Sequence, residues 1–127
     1  MWRQAGMNGV EWVIDARGCD AAKLTDRAAL AGLLDDIVAD LSLNVVGAPV
    51  WHVFPGTGGI TGLCLLSESH LAIHTFPEHG SLCLNVFCCR PRGDWNVDER
   101  LRRHVGAVDV DVTRILRNYA ELGAPLP

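Results

Sequence analysis

The chain has 127 residues, of which 49% are hydrophobic and 20% are charged, and its formal net charge is −4. This length and composition predict one folded domain over residues 1–127 and exclude a disordered or fibrous protein. No apolar run approaches the ~20 residues of a membrane span, and the acidic balance argues against nucleic-acid binding. The N-terminal residues lack the apolar segment of a signal peptide, so we expect a cytoplasmic protein.

Cysteine usage indicates neither a disulfide framework nor a metal site. The chain has an odd number of cysteines and no C-x-x-C pair. We expect most of them to be small, buried side chains. The five residues are Cys19, Cys64, Cys83, Cys88 and Cys89.

The first two predicted elements are a strand and a helix. Residues 9–18 contain W-V-I-D-A and predict the strand. Thr25 is a suitable helix N-cap, and apolar residues spaced three and four apart follow it as far as Leu41. We therefore predict a helix that begins after Thr25 and ends near Asn44.

Three predicted strands follow. Residues 45–54 favour a β-strand, but Pro49 interrupts them, which predicts an edge or bent strand before the loop P-G-T-G-G. Residues 60–67 predict a buried strand. Residues 82–89 alternate, which separates the adjacent cysteines onto opposite faces. One face carries Leu82, Leu84, Val86 and Cys88, and the other carries Cys83, Asn85, Phe87 and Cys89.

A helix and a strand complete the chain. Asn96, with Asp98 and Glu99 in the first turn, predicts a helix through Val105. Alternating valines at residues 108–112 predict the last strand. The order strand, helix, three strands, helix, strand indicates an α+β fold with an antiparallel sheet and its helices on one face.

Residues 67–78 read S-E-S-H-L-A-I-H-T-F-P-E and concentrate the chemically reactive side chains. His70, His74 and Glu78 would share one face of a helix, as in some metal sites. A proline and β-branched residues oppose a helix here, however, and H-E-x-x-H is absent, so no metal site is predicted. Ser69 lies in S-E-S-H rather than in the G-x-S-x-G of many hydrolases, which disfavours nucleophilic hydrolysis.

Three motifs together resemble the bacterial and archaeal S-adenosylmethionine decarboxylases, which are small pyruvoyl enzymes of polyamine synthesis. The motifs are G-G-I-T-G, E-S-H-x-x-x-H-T-x-P-E and N-V-F-C-C, and the resemblance extends to the opening W-V-I-D-A-R-G-C-D. It implies a two-layer α/β sandwich with an antiparallel sheet and two helices. It also implies a homodimer in which both protomers contribute to each active site, with the Phe54 loop completing the neighbour's pocket.

The resemblance implies autocatalytic cleavage between Glu68 and Ser69. The products would be a β chain of residues 1–68 and an α chain of residues 69–127 that begins with a pyruvoyl group derived from Ser69. This ketone is the implied cofactor, because a Schiff base with the substrate amine can accept the electron pair that decarboxylation leaves. By the same resemblance, Thr61 and His74 assist the cleavage.

Cys89 is the implied proton donor to the substrate carbon after decarboxylation. An ordinary thiol pKa of about 8.5 keeps cysteine mostly protonated at neutral pH, so this role needs no special tuning. Cys88 and Cys83 are expected to be packing residues of the core.

The implied substrate-binding residues are Phe54, Phe76 and Glu78. In the family, Glu78 would hold the ribose hydroxyls and Phe54 would stack on adenine. Phe76 stands in place of a common tryptophan, Asn85 in place of an aspartate, and Thr61 in place of a serine. We expect a decarboxylase that converts S-adenosylmethionine to the aminopropyl donor of spermidine biosynthesis. The alternatives are a pyruvoyl-dependent ornithine or arginine decarboxylase, and an uncleaved, inactive homologue that acts as a binding or regulatory subunit.

Overall fold

A computed structural model describes residues 8–90 and 93–119. The strands of this part of the chain form one antiparallel sheet with the order β2-β3-β4-β5-β1-β6. The predicted α+β class with an antiparallel sheet is confirmed. The elements are β1 Gly9–Arg17, α1 Ala21–Leu24, α2 Arg27–Asp40, β2 Val50–Val53, β3 Ile60–Leu66, β4 Ser69–Phe76, β5 Ser81–Cys88, α3 Val97–Val105 and β6 Asp109–Arg117.

One face of the sheet forms the hydrophobic core with the helices. Alternate residues of β1 and β5 are buried, which confirms the alternation predicted for residues 82–89. Helices α2 and α3 bury one stripe each into the same cluster, so the structure has a sheet layer and a helix layer. The helical residues of this core are Leu24, Leu30, Leu33, Leu34, Ile37, Val97, Leu101 and Val105.

The N-terminal helical region differs from the prediction of one helix capped by Thr25. Thr25 instead ends the single-turn helix α1, and its hydroxyl donates to the carbonyl of Ala22 at 3.2 Å. Asp26 caps α2, since its carboxylate accepts from the N–H groups of Ala28 and Ala29 at 3.0 and 3.3 Å. A negative charge also interacts favourably with the helix N-terminus, which makes aspartate the better cap here.

The ends of the longer helices also test the prediction. Helix α2 ends at Asp40, four residues before the predicted end near Asn44. Helix α3 begins after Asn96, whose side chain accepts from the N–H of Glu99, and this predicted cap is confirmed. Gly106 ends α3 in the left-handed conformation with φ 68°, which glycine adopts without a Cβ clash.

Strand β4 is the element that the sequence-based prediction omitted. Its residues Leu71, Ile73 and Thr75 are buried, and it pairs with both β3 and β5. Three polar residues of this strand, Ser69, His70 and His74, weakened the apparent β pattern, but the sheet neighbours on both sides determine the conformation. The predicted edge strand is confirmed in a shorter form, because β2 begins directly after Pro49 and lies at one edge.

Thr75 and a glycine loop fix the region around Phe54. The buried Thr75 hydroxyl accepts from the N–H of Ile60 and donates to the carbonyl of Leu24, both at 2.8 Å. In the loop, the Phe54 N–H donates to the Gly59 carbonyl at 2.8 Å. These bonds place Phe54 beside the start of β3.

No helix among the described residues is long and apolar enough to cross a membrane.

Candidate active site

The Glu68–Ser69 peptide bond lies at the end of a tight hairpin. Leu66 of β3 is paired with Ser69 of β4, so Ser67 and Glu68 alone form the connection. The N–H of Ser67 donates to the carbonyl of Asn44 at 2.9 Å, which ties the hairpin to the segment after α2. A polar cavity of about 280 Å³ opens beside it. This turn pocket is lined by Ser42, Leu43, Asn44, Ser67, Glu68, Cys89 and Arg90.

Cys89 faces the hairpin directly after β5. Its thiol donates to the Glu68 carboxylate, with 2.7 Å between Sγ and Oε2. Burial raises the pKa of the Cys89 thiol, and the hydrogen bond and charge of Glu68 raise this pKa further, although Arg90 opposes them. The arrangement therefore keeps Cys89 as a thiol at neutral pH, which suits a proton donor.

Thr61 and His74 form a cross-strand pair at the other end of β3 and β4. Thr61 Oγ1 and His74 Nδ1 are hydrogen-bonded at a distance of 3.1 Å. The two residues face each other in the β3–β4 register. The pair can move or hold a proton, since the hydroxyl can both donate and accept and the imidazole can accept.

The Thr61–His74 pair borders a second cavity, of about 330 Å³. Two phenylalanine rings, Phe54 and Phe76, line this aromatic pocket, and they are 49% and 38% exposed. Glu78 adds an exposed carboxylate. Two aromatic faces with one carboxylate can bind a ring and accept hydrogen bonds from hydroxyl groups. The other lining residues are Pro55, Thr57, Thr61, His74 and Thr75.

The predicted site residues therefore fall into two groups within one chain. Ser69 and His74 lie five residues apart on the same strand, which corresponds to roughly 17 Å at ~3.3 Å per residue. The β4–β5 register pairs His74 with Cys83 and His70 with Phe87, so Cys89 belongs to the Ser69 end. Glu68 and Cys89 thus line the turn pocket, and Ser69 follows Glu68 at the start of β4, whereas the other predicted residues line the aromatic pocket.

The cysteines of β5 divide as their alternation predicts, with one correction. Cys88 is buried in the core, as expected, and so are Cys19 and Cys64. Cys83 was expected to be a core residue but is exposed, and its thiol donates to Asp15 at 3.3 Å. Among the described residues, no helix packs against the face of the sheet that carries Cys83, which is why the core expectation was wrong.

A polar network that the sequence did not reveal lies on the same face. Asn85 contacts both His70 and Glu11 at 2.7 Å, and Arg117 donates to Glu11. The strand alternation predicted the direction of Asn85, but its partners come from β1 and β4, and Arg117 of β6 is connected to it only through Glu11. Among the described residues, no group of three His, Cys, Asp or Glu side chains could hold a metal ion.

Residues 10–118 match the family model described as S-adenosylmethionine decarboxylase. The chain belongs to this family. Family members are carboxy-lyases, and the resemblance that the E-S-H and H-T-x-P-E motifs indicated is thereby confirmed.

Individual relatives agree with this assignment. The chain is 36% identical over 105 residues to the S-adenosylmethionine decarboxylase proenzyme of Prochlorococcus marinus, covering 80% of each chain. It is 35% identical over 109 residues to the proenzyme of the same name from Acetivibrio thermocellus, covering 82% of this chain and 83% of the relative. The crystal structure of the adenosylmethionine decarboxylase from Aquifex aeolicus is similar in fold, with a TM-score of 0.73 and 27% identity. That match covers 95% of this chain and 99% of the other.

Proposed function

We propose that the protein is a pyruvoyl-dependent S-adenosylmethionine decarboxylase that cleaves itself between Glu68 and Ser69. The observation that carries the proposal is the turn pocket. Ser69 directly follows the two-residue turn that ends in Glu68. The protonated thiol of Cys89 lies 2.7 Å from the Glu68 carboxylate. Relatives named as proenzymes of this activity support it.

Self-cleavage combines the reacting groups of the hairpin with one water molecule, and Thr61 and His74 assist the proton transfers. The Ser69 hydroxyl attacks the Glu68 carbonyl and loses its proton, which breaks the Glu68–Ser69 amide and forms an ester. Removal of the Ser69 Cα proton then expels the Glu68 carboxylate, which keeps the serine oxygen. Water replaces the freed nitrogen, which leaves as ammonia, and a ketone results. Tight turns hold the reacting atoms close together, which favours the first step.

The residues of the turn pocket fit the resulting pyruvoyl group. When present, this ketone supplies the electron sink for decarboxylation. Cys89 then protonates the substrate carbon, and its raised pKa keeps the proton on sulfur until it is needed. Glu68 holds the thiol in the precursor through the hydrogen bond from Sγ.

The aromatic pocket supports a nucleoside substrate over ornithine or arginine. Phe54 and Phe76 offer apolar faces on which adenine can stack, and Glu78 offers acceptors for the ribose hydroxyls. An amino acid without a nucleoside would leave these faces uncovered. The product would be the aminopropyl donor for spermidine biosynthesis.

Two copies of the chain would unite the separated groups in one site. The ~17 Å between Ser69 and His74 along β4 is too long for direct contact, so we propose a homodimer in which His74, Thr61 and the aromatic pocket of one protomer serve Ser69 of the other. The helix-free face of the sheet supports this proposal, since it exposes large apolar side chains, including Leu65 at 58%. Others on this face are Val13, Val50, Leu63, Phe76 and Ile115.

The mass spectrum of the denatured, freshly purified protein tests the cleavage. We expect two fragments, residues 1–68 and 69–127, with the second lighter than its encoded mass by one ammonia. The variant Ser69→Ala is the control and should stay intact. A wild-type chain that remains whole after long incubation would contradict the proposal and favour an uncleaved binding or regulatory subunit.

Carbon dioxide release from three labelled substrates then tests the specificity. S-adenosylmethionine, ornithine and arginine are compared side by side with the cleaved enzyme. We expect turnover of S-adenosylmethionine, and we expect Glu78→Gln to raise its KM because the carboxylate acceptors are lost. Preferred turnover of ornithine or arginine would assign the protein to the smaller substrates.

A further inference from the structure

Tyr119 connects the end of the last strand to the turn pocket. Its hydroxyl lies 2.5 Å from the carbonyl oxygen of Cys89, although the two residues are 30 positions apart. A carbonyl oxygen only accepts hydrogen bonds, so the phenol is the donor. Tyr119 lies two residues beyond the end of β6, and Cys89 directly follows β5. The hydrogen bond therefore joins two segments that have both left the sheet.

The phenol of Tyr119 also interacts with the charged side chains of the turn pocket. Burial raises the pKa of Tyr119, and the Cys89 thiol and the Glu68 carboxylate raise this pKa further, although Arg90 opposes them. The same three side chains line the turn pocket. Tyr119 thus lies near both partners of the thiol–carboxylate hydrogen bond, and its hydroxyl keeps its proton at neutral pH.

The backbone of Cys89 is held on both sides. On the N-terminal side, Cys88 is paired with Val10 in the β1–β5 register, which fixes the peptide group before Cys89. On the C-terminal side, the carbonyl that Tyr119 binds belongs to the peptide group after Cys89. Because peptide groups are planar, fixing both of them restricts the two backbone dihedrals of Cys89 and so the direction in which its side chain begins.

Self-cleavage at the proposed bond would affect the two hydrogen bonds of Cys89 unequally. Glu68, whose carboxylate accepts from the thiol, would become the new C-terminal residue of the fragment 1–68. Tyr119 and Cys89 would both remain in the fragment 69–127. Of these two hydrogen bonds, the one from Tyr119 therefore stays within a single chain when decarboxylation takes place.

We propose that Tyr119 is a positioning residue for decarboxylation, which holds Cys89 in place by donating a hydrogen bond to the Cys89 carbonyl. The inference rests on the proposed function, in which Cys89 delivers a proton to the substrate carbon. Proton delivery depends on the distance and angle between donor and acceptor, so a less restrained Cys89 lowers kcat. Tyr119 does not line the aromatic pocket, so KM should not change.

The NMR signal of one labelled peptide group tests the hydrogen bond. Cys89 is the only cysteine in the sequence that precedes an arginine. A chain with carbon-13 in its cysteine carbonyls and nitrogen-15 in its arginines therefore gives one carbonyl–amide correlation, from the Cys89–Arg90 peptide group. The spectra are recorded in the Ser69→Ala background, so that the chain stays whole under the proposed mechanism.

We expect Tyr119→Phe to move the Cys89 carbonyl carbon to a lower chemical shift, because the hydrogen bond to its oxygen is lost while the ring is kept. Thr113→Val is the matched control, since it removes a hydroxyl from β6 itself, and it should leave the signal in place. A signal that Tyr119→Phe does not move would overturn the inference.

The rate of carbon dioxide release tests the role in chains that retain Ser69. We expect Tyr119→Phe to cleave itself at the parent rate but to lower kcat roughly three- to tenfold at unchanged KM, as for the loss of one hydrogen bond. Adding Tyr119→Phe to Cys89→Ala should lower kcat no further, because the residue that Tyr119 positions has already been removed. An equal loss of kcat in both backgrounds would show that Tyr119 does not act through Cys89.

The two measurements separate failure of the inference from failure of the proposed function. A cleaved Tyr119→Phe enzyme with the parent kcat would refute the positioning role alone. A wild-type chain that never cleaves would refute the proposed function and the positioning role together, and the carbonyl signal would still decide whether Tyr119 binds Cys89.

Discussion

Mixing two inactive variants tests whether each active site combines Ser69 of one copy with His74 of another. Under the proposed mechanism, Ser69→Ala cannot be cut, and His74→Ala lacks the imidazole that assists the cut. In a mixed dimer, one site would contain Ser69 from the His74→Ala chain and His74 from the Ser69→Ala chain. The other site would contain neither. Only the His74→Ala chain can therefore be cleaved in the mixture.

The separation of Ser69 and His74 along β4 determines how much cleavage is expected in the mixture. Five residues at ~3.3 Å each place Ser69 and His74 roughly 17 Å apart within one protomer, so a site built from one copy predicts no cleavage in the mixture. Equal amounts that exchange freely give mixed dimers as ~half of the population, as expected for a symmetric twofold dimer. About half of the His74→Ala chains should then be cut.

Intact mass identifies which chain was cut, since the fragment of residues 69–127 would carry alanine at position 74. The two variants are unfolded together, refolded, and incubated until cleavage stops, and each variant treated alone is the control. Native mass spectrometry of tagged chains measures the fraction of mixed dimers. Mixed dimers without any cut His74→Ala chain would refute the two-copy site.

Three further predictions concern single residues. Cys89→Ala should leave self-cleavage intact but lower the rate of decarboxylation by ~10²- to 10⁴-fold, measured as carbon dioxide release, because a positioned proton donor is lost. Glu68→Gln in the Ser69→Ala background should lower the pKa of Cys89, since the charge that raises this pKa is removed. The thiol should then be alkylated at a lower pH. Thr75→Val should reduce the free energy of unfolding by ~2–4 kcal/mol, because the buried N–H of Ile60 and carbonyl of Leu24 lose their partner.

Each of these predictions has an outcome that contradicts it. Normal turnover by Cys89→Ala would remove Cys89 as the proton donor. An alkylation profile of Cys89 that does not move with Glu68→Gln would mean that the carboxylate does not act on the thiol. For Thr75→Val, urea unfolding is compared with Thr113→Val on the exposed strand β6, which should change stability by less than ~0.5 kcal/mol. Equal effects of the two substitutions would contradict the role of the buried hydroxyl.

Local patterns in the sequence were sufficient for much of the sheet and for one helix. The alternation in residues 82–89 separated Cys88 from Cys89 correctly, because side-chain direction in a strand depends only on position along it. Asn96 was recognised as a cap because its partner is the N–H of Glu99, three residues away. Strand β4 was not recognised, since its conformation depends on pairing with β3 and β5.

The sequence by itself determined the family and pointed to the bond for which we propose self-cleavage, because the E-S-H and H-T-x-P-E motifs are contiguous. Only the tertiary structure decided which of the motif residues can meet. Glu68, the residue before Ser69, contacts Cys89 at the turn, whereas His74 contacts Thr61 at the far end of β4. The contact between Glu11 and Asn85 joins residues 74 positions apart, and it exists because β1 and β5 are neighbours in a fixed register. Strand order and register follow from the packing of the whole core, so no local pattern could have revealed that contact.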